Sequence, residues 1–294
     1  MKKIVVTGAA GFTGMNLVAA LLAAGYFVYA LVRPGSSHNA RLNDGRQLKK
    51  IEIDVSELSS LAEYIQEPCD GFIHLAWGYG GRDDMAAQQI NISHVLNAVE
   101  AAAAVGCKRF IASGSQAEYG SQAVLTNENC LPCPLNAYGA AKLAACHLSK
   151  IRAKQLGLEW IWGRIFSTYG PYEPEGRMLP DLVNSLKRGE AFQLSSCVQM
   201  WDYLYAGDAA SAFIALLQRG CSGEIYNIAN GDIHPLRYFT QLVLEEYGQE
   251  GKLCYGEATG CEMSLLPDVK KLRVHTGWRP VVSFSEGIKS YSEE

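Results

Sequence analysis

Thr7-Gly8-Ala9-Ala10-Gly11-Phe12-Thr13-Gly14 is the stretch that decides the fold. A short apolar run with a charged start, Ile4-Val5-Val6, precedes it and reads as a buried strand over residues 2–7. An Ala/Leu-rich helix follows from about Met15 to Ala24, Gly25 ends it, and Phe27–Val32 is the next strand. Strand, glycine turn, helix and strand make a βαβ unit. The glycines recur every third residue, where the chain must turn sharply, let its backbone approach a pyrophosphate and pack the helix closely on the sheet. The helix start then offers free N–H groups and the positive end of its dipole. A glycine turn without a ligand is the competing reading. The strand before and the helix after favour a dinucleotide site.

Working outward, the alternation continues. Ile51–Ile53, Gly71–Ala76, Arg109–Ser113 and Trp160–Arg164 read as strands, and Ile90–Val105 and Tyr138–Leu156 as helices closed by Gly106 and Gly157. This alternation predicts an α/β fold, a doubly wound parallel sheet of the Rossmann type over residues 1–165. After residue 166 the pattern loosens. Tyr169-Gly170-Pro171 and Glu173-Pro174-Glu175-Gly176 are loop chemistry, with helices near Leu179–Arg188 and Ala209–Arg219. Residues 166–294 are expected to form a smaller mixed substrate lobe, its segments interleaved with the Rossmann domain.

The chain has 294 residues, 48% hydrophobic and 19% charged, with a net charge of -4. No basic surface points to nucleic acid. Met1–Val6 is too short for a secretory signal. Leu17–Val32 splits at Gly25 into helix and strand and does not span a membrane. Nine cysteines, an odd number at irregular spacing, argue against a disulfide framework. Cys130 and Cys133 form a C-x-x-C pair in a Pro-rich stretch with no second pair, so a plain loop outweighs zinc. The six histidines form no metal-spaced pair and read as structural, and Met178, Met200 and Met263 as lobe packing. Reduced thiols in a cytoplasm and no metal are the expectations.

The form T-G-x-x-G-x-x-G resembles the extended short-chain dehydrogenase family. Further matches are Asp54-Val55, His74-Leu75-Ala76, Asn91, the segment Arg164 to Tyr169-Gly170-Pro171, and the closing Asp268, Lys271, Gly277-Trp278 and Pro280. The resemblance implies that Gly8, Ala10, Gly11, Phe12, Thr13, Gly14, Asp54, Val55, Leu75, Ala76 and Ser113 line a nicotinamide dinucleotide. An NAD enzyme places Asp or Glu at the end of the second strand, to hold the ribose 2′-hydroxyl. Here Val32-Arg33-Pro34-Gly35-Ser36-Ser37 has no carboxylate. Arg33 and Ser36 suit a 2′-phosphate, so NADP is expected, with NAD as the alternative.

Tyr138 and Lys142 are four residues apart at a helix start, hence on one face, one turn apart. A free phenol has a pKa of ~10, and a nearby ammonium is expected to lower it and make Tyr138 a general acid–base. The resemblance aligns Ser115 with the family's catalytic Ser/Thr, gives Lys142 a bond to the nicotinamide ribose, and gives Asn91 a supporting role. Family dehydratases carry Asp-Glu after the catalytic residue, and the epimerase-reductases carry Cys. Gln116-Ala117 stands here and argues against both. The expected function is NADPH-dependent reduction of a keto-sugar nucleotide, such as a 4-keto-6-deoxy sugar. The alternatives are an NAD-dependent C4 epimerase and a non-catalytic NADP-binding sensor or scaffold. Trp201 stands where the family's substrate-phosphate Arg is usual, so Arg177 and Arg237 are candidates to compensate, with Trp201 stacking on a base or sugar. Glu118 replaces an apolar family residue. The resemblance also implies a homodimer through the helices Ile90–Val105 and Tyr138–Leu156, both Ala-rich enough to pack closely.

Overall fold

The computed structural model describes residues 2–292 apart from 79, 249–250, 259 and 261–262. Strands β1 (Lys3–Thr7), β2 (Phe27–Val32), β3 (Leu48–Glu52), β4 (Gly71–His74), β5 (Arg109–Ser115) and β6 (Glu159–Ile165) alternate with helices α1 (Phe12–Ala23), α2 (Leu61–Tyr64), α3 (Met85–Ala104) and α4 (Ala137–Gln155). Beyond them lie β7 (Thr168–Tyr169), α5 (Met178–Lys187), β8 (Ala191–Leu194), β9 (Met200–Trp201), β10 (Leu204–Tyr205), α6 (Ala206–Arg219) and β11 (Glu224–Ile228). The chain then forms β12 (His234–Pro235), α7 (Leu236–Tyr247), β13 (Lys252–Tyr255), α8 (Lys270–Thr276) and α9 (Phe284–Gly287).

Seven strands form one parallel sheet in the order β11-β6-β5-β4-β1-β2-β3. Ile4 and Val6 face one layer, where Leu17, Leu21, Phe213 and Leu216 of α1 and α6 cover the sheet. Val5 faces the other, against Val95, Val99 and Ala145 of α3 and α4. Covering both faces explains why β1 is a continuous apolar run and not an alternating one. The doubly wound Rossmann architecture expected from the sequence is therefore present.

Several boundaries differ from expectation, and three of them shape the cleft. Helix α1 begins at Phe12 and not Met15, because Gly11 already serves as its N-cap. Helix α3 begins at Met85 and not near Ile90, because the Asp84 carboxylate caps it, accepting from Ala87 N at 3.0 Å. Strand β4 stops at His74, two residues before Ala76. The seventh strand was not foreseen. Glu224–Ile228 mixes polar and apolar residues, yet it pairs with Ile161–Ile165 at the sheet edge. Its Asn227 is fully buried and satisfied, accepting from the Tyr119 hydroxyl and donating to the Thr126 and Asp268 carbonyls. With α6 it belongs spatially to the Rossmann layer, so residue 165 marks a change of pattern and not a boundary in space.

The remaining segments build a lobe around Tyr169, Leu182, Leu186, Tyr203, Phe239 and Phe284. Three two-stranded sheets, β7/β10, β9/β12 and β8/β13, tie it together.

Candidate active site

Strand order reverses between β1 and β4, and in doubly wound sheets ligands bind outside the carboxyl ends of the strands at that point. A cleft of about 1040 Å³ opens there, between the sheet and the lobe. Gly8, Ala10, Gly11, Phe12, Thr13 and Gly14 line it, as do Leu75 and Ala76. Gly8 has φ 67°, and a Cβ on it would lie 2.9 Å from Ala76 N. A Cβ on Gly14 would lie 2.0 Å from Gly8 O, so only glycine lets α1 sit on its own turn. Gly11 supplies no side-chain cap, which leaves the first amides of α1 open to the cleft. That arrangement fits the pyrophosphate of a dinucleotide. Thr7 joins the two turns: its hydroxyl meets His74 Nδ1 at 2.8 Å and accepts from Ala76 N at 3.3 Å. Burial keeps His74 neutral, its pKa pushed down to about 3.

At the far end of the cleft stand Arg33, Ser36, Asp54 and Val55, with His38 beside them. The Arg33 carbonyl accepts from Asn39 Nδ2 at 2.9 Å and Ser36 N at 3.3 Å, which fixes the loop after β2. The Asp54 carboxylate accepts from Ser56 N and Oγ at 2.9 and 2.7 Å and so caps the following turn. Arg41 reaches the Ala10 carbonyl at 3.5 Å.

Ser115 ends β5, and Tyr138 and Lys142 project from the first turns of α4, whose N-cap Asn136 accepts from Gly139 N at 2.8 Å. All three line the cleft. Tyr138 lies within hydrogen-bonding reach of Ser115, whose Oγ accepts from Ala117 N at 3.1 Å. Lys142 Nζ donates to the Ser113 carbonyl at 2.6 Å and sits 3.9 Å from the Trp77 ring centre. Trp77 meets Tyr138 edge-on at 5.8 Å and donates to Gln88 Oε1 at 3.1 Å. Asn91 Oδ1 accepts from Gly78 N at 3.2 Å, which shapes the loop carrying Trp77.

The electrostatics correct one expectation. Burial pushes the Tyr138 pKa up, the Ser115 hydrogen bond and the cations Arg82 and Arg177 opposing it and Glu118 adding to it. Burial also pushes Lys142 down, to about 7. In a site this dry the charged form of each group is penalised, and burial outweighs the lowering of the phenol expected from spacing. Tyr138 is a protonated acid near neutrality, and Lys142 is poised to gain or lose charge there.

Toward the lobe, Arg177 and Trp201 line the cleft and Arg237 does not. Arg237 is exposed on α7, its guanidinium 4.1 Å from the Tyr255 ring centre. Trp201 donates to Ser167 Oγ at 3.1 Å. Glu173, buried and pushed up in pKa by that burial, pairs with Arg177 at 3.5 Å and accepts from the Tyr291 hydroxyl. Met178 and Met263 also line the cleft, and Met263 is exposed there and not lobe packing. Sequence reasoning missed Trp77, Arg82 and Glu173. Trp77 and Arg82 follow a strand end at the sheet's centre, and that position was the available signal. None of the eight described cysteines is in a disulfide, and Cys261 lies outside the described residues.

Comparison with known proteins agrees with this geometry. The family described as "NAD dependent epimerase/dehydratase family" matches residues 4–229. The dTDP-6-deoxy-L-talose 4-dehydrogenase (NAD(P)(+)) of Kitasatospora kifunensis is 27% identical over 98% of this chain and 93% of its own length. The UDP-glucuronic acid 4-epimerase of Bacillus cereus, solved with NAD, superposes with a TM-score of 0.82 at 23% identity, over 99% of this chain and 97% of its own. RMD from Pseudomonas aeruginosa, solved with NADPH, does so with a TM-score of 0.82 at 24% identity, over 100% and 98%. A glycine turn at the switch point and a family match across most of the chain lead to one assignment. The chain belongs to the NAD dependent epimerase/dehydratase family, the NAD(P)-dependent oxidoreductases and epimerases of the extended short-chain dehydrogenase group.

Proposed function

We propose that the protein is an NADPH-dependent reductase of a keto-sugar nucleotide, a 4-keto-6-deoxy sugar being the favoured class. The observation that carries this reading is the ribose end of the cleft, where Arg33, Ser36 and His38 stand and β2 ends without a carboxylate. Those residues suit a 2′-phosphate better than a free 2′-hydroxyl. A reductase takes up its cofactor reduced and releases it oxidised, which fits an NADPH site.

The turn from Gly8 to Gly14 would hold the pyrophosphate, Arg33 and Ser36 the 2′-phosphate, and Lys142 the nicotinamide ribose. The chemistry a reduced nicotinamide would supply there is hydride transfer to the substrate's carbonyl carbon. Ser115 orients the carbonyl oxygen, and Tyr138, kept protonated by burial, gives that oxygen its proton. Trp77 lies over Lys142 and meets Tyr138 edge-on. Gln116 and Ala117 provide no carboxylates to move a ring proton, which argues against dehydration. Arg82 and Arg177, which line the cleft, would meet the substrate's diphosphate, with Trp201 as an apolar wall. The relative named as a 4-dehydrogenase acting with NAD(P)(+) supports the same chemistry.

The C4 epimerase is the second reading, favoured by the likeness to an NAD-bound 4-epimerase. NADPH oxidation on adding dTDP-4-keto-6-deoxyglucose, or the GDP and CDP counterparts, tests the proposal. Interconversion of UDP-sugars with no net NADPH consumption would assign the epimerase. A homodimer through α3 and α4 is also proposed, since Ile90, Leu148 and Ile151 are exposed on those helices. Among the described residues no helix is long and apolar enough to cross a membrane. A cytoplasmic location is part of this proposal, on the unpaired state of the described cysteines.

A further inference from the structure

Behind Ser115, on the side away from the cleft, lies a buried ion pair that the proton-handling groups do not include. Glu118 is 0% exposed and closes the 3-10 turn Gln116–Glu118 that follows β5. Its Oε1 accepts from Ser115 N at 2.9 Å and from Trp162 Nε1 at 2.9 Å, and its Oε2 accepts from Arg164 Nε at 2.7 Å. Arg164 is 1% exposed, and its guanidinium lies 4.3 Å from the Tyr119 ring centre. Among the described residues Glu118 is the only carboxylate within ion-pair distance of Arg164. The backbone is shaped around this pair: a Cβ on Gly114 would meet Trp162 Nε1 at 2.1 Å and Glu118 Oε1 at 2.6 Å.

We propose that Glu118 is a positioning residue of the site: it fixes Ser115 through its backbone amide and supplies the buried negative charge behind Ser115 and Lys142. The assignment rests on the reading of the cleft as a dinucleotide site with Ser115, Tyr138 and Lys142 at its centre.

Two lines of geometry converge on it. First, the reciprocal bonds of the turn, Ser115 Oγ from Ala117 N and Glu118 Oε1 from Ser115 N, set the serine hydroxyl from behind. Trp162 and Arg164 on β6 hold the carboxylate itself, so the serine is braced by a neighbouring strand. Second, the charges around Lys142 are few. Trp77 lies over its ammonium and the Ser113 carbonyl accepts from it. His74 on β4 is neutral, and Tyr138 one turn away on α4 is held protonated by burial. Arg82 and Arg177 face Tyr138 from the cleft side and are both cationic. Glu118 is the one charged group among these that favours a charged Lys142, beside the Ser113 carbonyl and the Trp77 ring. Arg164 compensates Glu118 from the strand beyond.

The test is the pH dependence of NADPH affinity, measured by fluorescence titration without any sugar, so that it is independent of the sugar's identity. Affinity is expected to fall as pH rises through the Lys142 titration. The variants are Glu118→Gln/Arg164→Gln, which keeps polar shape without charge, and Glu118→Met/Arg164→Met, which fills the space with apolar atoms. In either, the midpoint of the fall is expected to move to lower pH by about half a unit or more, with affinity at low pH within about twofold of the parent. A merely structural role predicts weaker binding by one factor at every pH and an unmoved midpoint, and that result overturns the assignment. If neither charge-free pair folds, Arg164→Lys decides. It keeps both charges and is expected to keep the parent midpoint, and a displaced midpoint there overturns the assignment too. Failure of the underlying dinucleotide reading is distinguishable, as a parent protein that binds neither NADPH nor NADH at any pH, and it takes this assignment with it.

Discussion

Replacing Lys142 with Met separates the stability of this site from its chemistry. The ammonium is fully enclosed, and burial takes its pKa to about 7. In the unfolded chain the same group titrates near ~10.4. Between those values the unfolded chain holds the extra proton, so this group makes the fold more stable as pH rises. Below 7 both states are protonated and the fold bears the full penalty of a buried charge. The penalty fades as pH climbs through 7 and is gone near the unfolded pKa. From pH 6 to pH 9 native Lys142 releases almost a whole proton, which makes the parent more stable by about 2–3 kcal/mol relative to Lys142→Met. That corresponds to roughly 5 °C in melting temperature for a chain of this size. Urea unfolding of both proteins at several pH values reads the difference directly. Because the bond to Ser113 and the Trp77 contact are lost at every pH, only the pH-dependent part belongs to the argument. A stability difference that is flat across the range, or that favours the parent at low pH, would refute the claim that Lys142 is penalised by burial.

Other outcomes follow from the same geometry. Tyr138→Phe is expected to bind NADPH like the parent and to lose about 10²–10⁴-fold in kcat, read by NADPH oxidation. Gly14→Ala would drive a methyl against the Gly8 carbonyl, so NADPH affinity measured by calorimetry is expected to fall at least about tenfold with a lower melting temperature. Leu148→Glu with Ile151→Glu is expected to convert a dimer to a folded monomer in sedimentation, and a parent already monomeric at micromolar concentration would contradict the proposed interface.

What was legible in the sequence was what local chain geometry decides. The glycine turn declares itself because Gly8 must adopt φ 67° and Gly14 must lack a Cβ, demands met within eight residues. Tyr138 and Lys142 were legible because helical spacing alone puts them on one face. Other features depend on distant segments and were not legible. Glu224–Ile228 becomes a strand only because β6 offers an open edge, and its Asn227 is satisfied by Tyr119, Thr126 and Asp268 far along the chain. Arg237 looked like a spare cation until α7 turned it toward Tyr255. The pKa of Lys142 escaped for the same reason, since spacing reports its neighbour on the helix but not how dry the enclosure is. Glu118 was visible only as an oddity, because its partners Trp162 and Arg164 sit on another strand.

The cofactor state of the purified protein decides between an NADPH reductase and an NAD epimerase. The protein is denatured and any released dinucleotide identified, and empty protein is then titrated with NADPH and NADH. The expected result is a site that empties readily and binds NADPH at least about tenfold more tightly than NADH, the advantage disappearing in Arg33→Ala. Stoichiometric, firmly held NAD would contradict the assignment of Arg33 and the reductase with it, and would place the protein among the epimerases.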